Sequence, residues 1–127
     1  MQEKEIPEMI DISSLKDQSV IRGILKKVPI LTDQLIVEVL VLDKDQESAT
    51  HNHESSDEVE YIVQGRGRIQ VDKVLHEVKD GHTMLVPRSV PHRIMANGGS
   101  MTVISIRTNP GMEKASKNEK NGDQETT

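Results

Sequence analysis

The chain contains no cysteine, no phenylalanine and no tryptophan, and Tyr61 is its single tyrosine. Without cysteine there is no disulfide, no thiolate nucleophile and no Cys-rich zinc site, so the fold makes no demand on an oxidising compartment. With so few aromatic rings, base stacking and aromatic cages are almost excluded as modes of recognition. No apolar run approaches the roughly 20 residues of a membrane span, and Met1-Gln2-Glu3-Lys4-Glu5 does not read as a signal peptide. The formal net charge of −5 argues against nucleic acid or an anionic membrane as partner. A cytoplasmic protein is the expectation.

What is present is 127 residues, enough for one domain that buries a core of Ile, Val, Leu and Met without covalent staples. Residues 1–19 mix charge with Ile6, Met9, Ile10, Ile12 and Leu15, and read as a short arm packing on the rest. A strand is expected from Ser19 to Leu25, broken by Lys26-Lys27-Val28-Pro29. Leu35 to Leu42 is apolar on both faces except at Glu38, which suits a strand covered on both sides. From Glu58 onward short strands alternate with turn signals, placing strands at Glu58–Gln64, Arg68–Val71, Val74–Val78, Thr83–Val86, Val90–Met95 and Met101–Arg107. The turns between them are Gly65-Arg66-Gly67, Asp72-Lys73, Asp80-Gly81, Pro87 and Asn97-Gly98-Gly99. Residues 109–127 are rich in Lys, Glu, Asn, Gln, Gly and Thr, a composition too polar to offset its ordering entropy, so a disordered tail is expected.

The informative stretch is His51-Asn52-His53-Glu54-Ser55-Ser56-Asp57-Glu58. Histidines at i and i+2 face the same way only on extended backbone, because side chains alternate with period two. The polar turn after them delivers Glu58 at the start of the next strand, giving imidazole and carboxylate from neighbouring strands. That set suits a divalent transition metal. A His-Asn-His nuclease reading fails, because it needs a helix after a hairpin where this chain gives strands. If the strand from Glu58 is regular, Glu60, Ile62 and Gln64 share the metal-facing side, while Val59, Tyr61 and Val63 face outward. Glu60 is therefore the candidate catalytic acid or base. The plainer role is to accept a hydrogen bond from a ligand histidine and fix its ring.

These residues resemble the cupins, jelly-roll barrels of the double-stranded β-helix type. The first cupin motif is His-x-His, three or four residues, Glu, six residues and Gly, and is met here by His51, His53, Glu58 and Gly65. The second is Gly, five residues, Pro-x-Gly, two residues and His, and is met by Gly81, Pro87 and His92. Three positions depart from it. Asp45 stands where a glycine is usual before the first histidine, Ser89 replaces the glycine of Pro-x-Gly, and the later asparagine is displaced to Asn97. With one motif of each kind, the chain holds a single barrel over residues 20–108. The resemblance implies an all-β fold and a metal held by His51, His53, Glu58 and His92, with positions left open for a small-molecule ligand. Iron, manganese, nickel, zinc, cobalt and copper all suit such a set. It also implies a homodimer formed through the outward stripe. The expected function is a non-haem metalloenzyme of oxygenase, isomerase or lyase type, or else a binding module that captures a small molecule or metal without turnover. His76, His82, Arg66 and Arg68 are given no role in the site, and Arg88 is placed at the barrel mouth.

Overall fold

A computed structural model describes residues 8–14, 19–21 and 24–109. Among them are nine strands and a single 3₁₀ turn at Ile12–Ser14. The strands are β1 (Ser19–Ile21), β2 (Ile24–Leu31), β3 (Leu35–Leu42), β4 (Glu58–Gln64), β5 (Arg66–Val71), β6 (Val74–Lys79), β7 (Thr83–Val86), β8 (His92–Ala96) and β9 (Met101–Thr108). They form a six-stranded sheet in the order β1-β2-β3-β9-β4-β7 and a three-stranded sheet in the order β6-β5-β8. Every pairing is antiparallel. The fold is all-β, as the spacing of turn signals implied.

The core forms where the inner faces of the two sheets meet. Leu40, Leu42, Ile62, Met101 and Val103 come from the larger sheet, and Ile69, Val78, Ile94 and Ala96 from the smaller. Each fully buried aliphatic side chain contributes about 1.5–3 kcal/mol relative to exposure. Period-two alternation supplies them: Glu58, Glu60 and Ile62 are buried while Val59, Tyr61 and Val63 are exposed.

Several local expectations shift. Lys26 to Pro29 do not break a strand; β2 runs through them, with the register slipping between Lys27 and Ile30. Proline lacks an N–H, and a slip in the ladder is where that loss costs least. The turn at Gly65-Arg66-Gly67 contracts to Gly65, since β5 begins at Arg66. Gly65 has φ +92, and a Cβ there would collide with the Ser100 carbonyl. Gln64 does not continue the inward face, because the β4–β9 register slips between Ile62 and Gln64 and leaves it exposed. Asn109 belongs to the barrel, not to a tail. It is buried, its N–H donates to Gln34 O at 2.8 Å and its Nδ2 donates to Thr32 O at 2.7 Å. The remainder of the predicted tail, 110–127, lies outside the described residues, as do 1–7 and 15–18 of the arm. Of the arm that is described, Ile12 O accepts a hydrogen bond from Lys27 Nζ on β2 at 3.3 Å.

Two of the three motif departures fall on left-handed backbone: Asp45 has φ 62 and Ser89 φ 67. Glycine is the residue that adopts such angles without steric cost. These turns thus keep a glycine-like conformation without the glycine.

Candidate metal centre

His51 and His92 lie opposite each other across an isolated bridge. His51 N–H donates to His92 O at 3.0 Å, and His92 N–H donates to His51 O at 2.9 Å. Residues paired in this way project to the same side, and here the two ring centroids come within 4.2 Å. The histidine segment therefore extends the smaller sheet beside β8, whereas Glu58 opens β4 in the larger one. The imidazoles and the carboxylate come from facing sheets, not from neighbouring strands as the sequence suggested. One ligating atom from each of His51, Glu58 and His92 falls within a common span of 4.8 Å.

His53 borders this group. Its Nε2 lies 3.1 Å from Glu58 Oε1, and its ring centroid is 5.2 Å from that of His51 and 6.1 Å from that of His92. Its carbonyl accepts a hydrogen bond from Ser89 N–H at 2.8 Å, so the left-handed turn at Ser89 ties the Pro87–Pro91 loop to the histidine segment.

Ring orientation favours metal ligation. His51 Nδ1 lies 3.1 Å from Ala49 O, and His92 Nδ1 lies 3.2 Å from Val90 O. A carbonyl only accepts, so each neutral ring carries its proton on Nδ1 and leaves a lone pair on Nε2. Burial, followed by the proximity of His92, pushes the His51 imidazole down to about 4. It is therefore neutral, the ligating form, throughout the neutral range.

Glu60 is fully buried, and its Oε1 accepts a hydrogen bond from Ser105 Oγ at 2.5 Å. Its Oε2 turns to the site, 3.8 Å from His92 Nε2. Burial and the adjacent Glu58 charge raise the Glu60 carboxyl well above its ordinary value. Burial would raise Glu58 too, but the His53 imidazole beside it and the proton of Glu60 outweigh burial and hold it low. The pair thus divides into an ionised Glu58 and a protonated Glu60.

Three buried side-chain atoms make no well-formed hydrogen bond among the described residues, although each faces another residue of the site across 3.1–3.8 Å: Glu58 Oε1, Glu60 Oε2 and His92 Nε2. Buried polar atoms are normally satisfied, and an unmet cluster of this kind is what a bound ion or ligand completes. The donor set fits a divalent transition metal.

Other predicted residues lie apart. His82 Nδ1 accepts from Lys79 N–H at 3.1 Å. Arg88 N–H donates to Asp57 Oδ1 at 2.9 Å, and the Arg88 side chain is 66% exposed, so it points to solvent. A cleft of about 230 Å³, lined by Asp45, Glu47, Arg68, Met95, Ala96 and Asn97, contains none of the site residues. Sequence reasoning missed Lys26 and Arg107, which meet Glu38 inside the barrel. Arg107 was within reach of the alternation rule, because it continues the inward series Met101, Val103, Ser105.

The cupin-domain profile matches residues 38–107. The uncharacterised protein MJ1618 of Methanocaldococcus jannaschii is 35% identical over 80 residues, 62% of this chain and 63% of that protein, so the chain matches less than two thirds of this relative's length. Among solved structures, KdgF from Halomonas sp. superposes with a TM-score of 0.77 at 20% identity, covering 86% of this chain and 99% of that one. An RmlC-like cupin from Shewanella frigidimarina gives a TM-score of 0.74 at 20% identity, over 87% and 96% of the two chains. The polyketide cyclase RemF from Streptomyces resistomycificus gives 0.74 at 14% identity, over 84% and 82%. At these identities the likeness is one of fold.

Proposed function

The chain belongs to the cupin-domain family, and from that premise we propose that it is a metalloenzyme acting on a small polar molecule in the cytoplasm. The observation that carries the reading is the convergence of Glu58 Oε1, Glu60 Oε2 and His92 Nε2, buried and facing one another without a well-formed hydrogen bond. In this reading His51, His53, Glu58 and His92 hold one divalent metal. When bound, such a metal supplies Lewis-acid or one-electron chemistry.

The chain's own contribution is a placed proton. Ser105 locks Glu60 Oε1, so Oε2 is the atom that delivers a proton to the ligand or takes one from it. A module that only captured a ligand would have no use for a buried carboxyl aimed at the site with one oxygen held by Ser105. That the fold hosts enzymes is consistent with this, since RemF is a cyclase. We further propose that two copies pair through the outer face of β4, β7 and β9.

Elemental analysis after reconstitution with iron, manganese, nickel and zinc in turn tests the centre. One metal per chain is expected for the native protein and for Glu60→Gln, with loss in Glu58→Gln. No stoichiometric metal under any condition removes the proposal. Loss of metal affinity in Glu60→Gln by about 10–100-fold would make Glu60 a support for the ligands instead of the proton donor.

A further inference from the structure

The barrel interior carries a second set of charges beside the metal ligands. Glu38 on β3 and Glu60 on β4 both pair with Ser105 on β9, which sets Glu38, Ser105 and Glu60 in one inward row. In the next row Arg107 pairs with Glu58. Directly opposed residues have Cβ atoms about 5 Å apart, so Arg107 rises beside a predicted metal ligand. Arg107 NH1 lies 3.5 Å from Glu38 Oε1, and Lys26 Nζ lies 3.5 Å from Glu38 Oε2. The three side chains are only 10–11% exposed.

One carboxylate is thus shared by two buried cations, and neither is well served. Charge-assisted hydrogen bonds run at about 2.7–2.9 Å, so both contacts are long. Glu38 is the only hydrogen-bonding or ion-pairing partner of either cation among the described residues. A guanidinium offers five donors in a fixed fork, and among the described residues most of those on Arg107 are unspent. Among the described residues Lys26 and Arg107 balance Glu38 and Glu58, so a divalent metal leaves this part of the interior at plus two, or plus one with Glu60 ionised. Buried charge of that size calls for a counter-charge.

Resting on the metal reading above, we propose that the molecule taken into the barrel is an oxyanion, in the first instance a small carboxylate, whose charged group is received by Arg107 with Lys26 behind it. Arg107 is then a specificity-determining residue. Its planar fork fits a carboxylate or a phosphate oxygen pair, and the metal side of the site takes the rest of the molecule.

The test uses the full chain loaded with cobalt(II), titrated calorimetrically with pyruvate, inorganic phosphate and the uncharged methyl pyruvate. Pyruvate is expected to bind, with methyl pyruvate weaker by roughly tenfold or more. Arg107→Met should lose roughly tenfold or more in pyruvate affinity with cobalt affinity unchanged, and Arg107→Lys should recover part of it. Arg107→Met leaves a one-to-one Lys26–Glu38 pair, so folding should survive, and the melting temperature checks this. Phosphate binding in place of pyruvate, with the same dependence on Arg107, supports the oxyanion site and assigns it phosphate. Stoichiometric cobalt with no anion bound, or with pyruvate bound equally by Arg107→Met, overturns the inference. Failure of cobalt itself to bind is seen before any anion is added, and removes the metal reading instead.

Discussion

Strands β3, β4 and β9 each cross the barrel from a polar end to an apolar one, and the change takes a single step of the inward alternation. The row Leu40, Val103, Ile62 is hydrocarbon, and the next row, Glu38, Ser105, Glu60, is not. On the apolar side Leu42, Met101, Ile69 and Ile94 are 0–1% exposed and fill the space between the sheets. On the polar side Glu60 and His92 are 0% and 2% exposed, just as buried, yet each leaves an atom without a well-formed hydrogen bond. Burial alone therefore does not separate the two ends; satisfaction does. The apolar end gains stability from every residue it hides. The polar end gives stability up, as sites that keep groups ready for a ligand commonly do.

The largest effect that would sharpen this contrast belongs to the apolar end. Leu42→Ala removes a fully buried side chain and should cost about 2–5 kcal/mol. At roughly 4–8 °C per kcal/mol for a domain of this size, the melting temperature should fall by roughly eight degrees or more. Metal stoichiometry below that temperature should not change. A variant that lost metal in step with stability would show the two ends to be one cooperative unit.

The next effect belongs to the polar end and appears on acidification. The His51 imidazole is depressed in the folded state to about 4 from 6.5. The unfolded chain then binds more protons between these values, so stability falls as pH drops from about 6.5 to about 4, by on the order of 3 kcal/mol. Glu58 acts in the same direction at lower pH, since its depressed carboxyl contributes stability that is lost as pH falls. Denaturant melts of metal-free protein at pH 7.5, 5.5 and 4 read the slope, and His51→Gln should flatten its upper part. An equal slope in that variant would assign acid lability to groups outside the site.

Much of this contrast could be read from the sequence, and some could not, for identifiable reasons. The spacing of His51, His53 and Glu58 carried their convergence because two extended residues and a short turn fix directions locally. Glu60 followed from period two. Lys26, Glu38 and Arg107 did not emerge as a group, because their meeting depends on strand order β2-β3-β9, which no local pattern states. Pro29 misled for a related reason: a proline argues against a strand unless a register slip is known to absorb it. Asn109 looked like tail by composition, yet two hydrogen bonds to the Thr32–Gln34 turn hold it.

A smaller effect separates the two glutamates. Glu60 has a raised carboxyl, so its contribution to stability is full at low pH and is lost as pH rises toward its folded value. Glu60→Gln keeps an acceptor for Ser105 and puts an amide where the proton was. In metal-free protein it should raise the melting temperature, and by more at pH 8 than at pH 5. A loss at both values would mean that the carboxyl is ionised in the fold and that Glu58 carries the shared proton.

The smallest effect on the stability of one chain lies outside the barrel altogether, on the far side of β4. Val59 pairs with Leu85 on one side and Ile106 on the other, so three aliphatic side chains cross the outer sheet in a row, 37%, 60% and 37% exposed. Tyr61 and Val63 extend that surface along β4, at 41% and 42%. A contiguous apolar patch of this kind is unusual on a monomer and suits a self-complementary contact. Tyr61 is the informative position, because it brings the chain's only large ring to the middle of the patch. Replacing it by lysine touches neither end of the interior, so the stability of the single chain should move by no more than about 0.5 kcal/mol. The mass measured by light scattering should nevertheless halve, because a charge at the centre of an apolar contact must be desolvated there. An unchanged mass in Tyr61→Lys, with the native protein a dimer, would move the interface to another face. A monomeric native protein would leave the patch as exposed sheet and the pairing proposal without support.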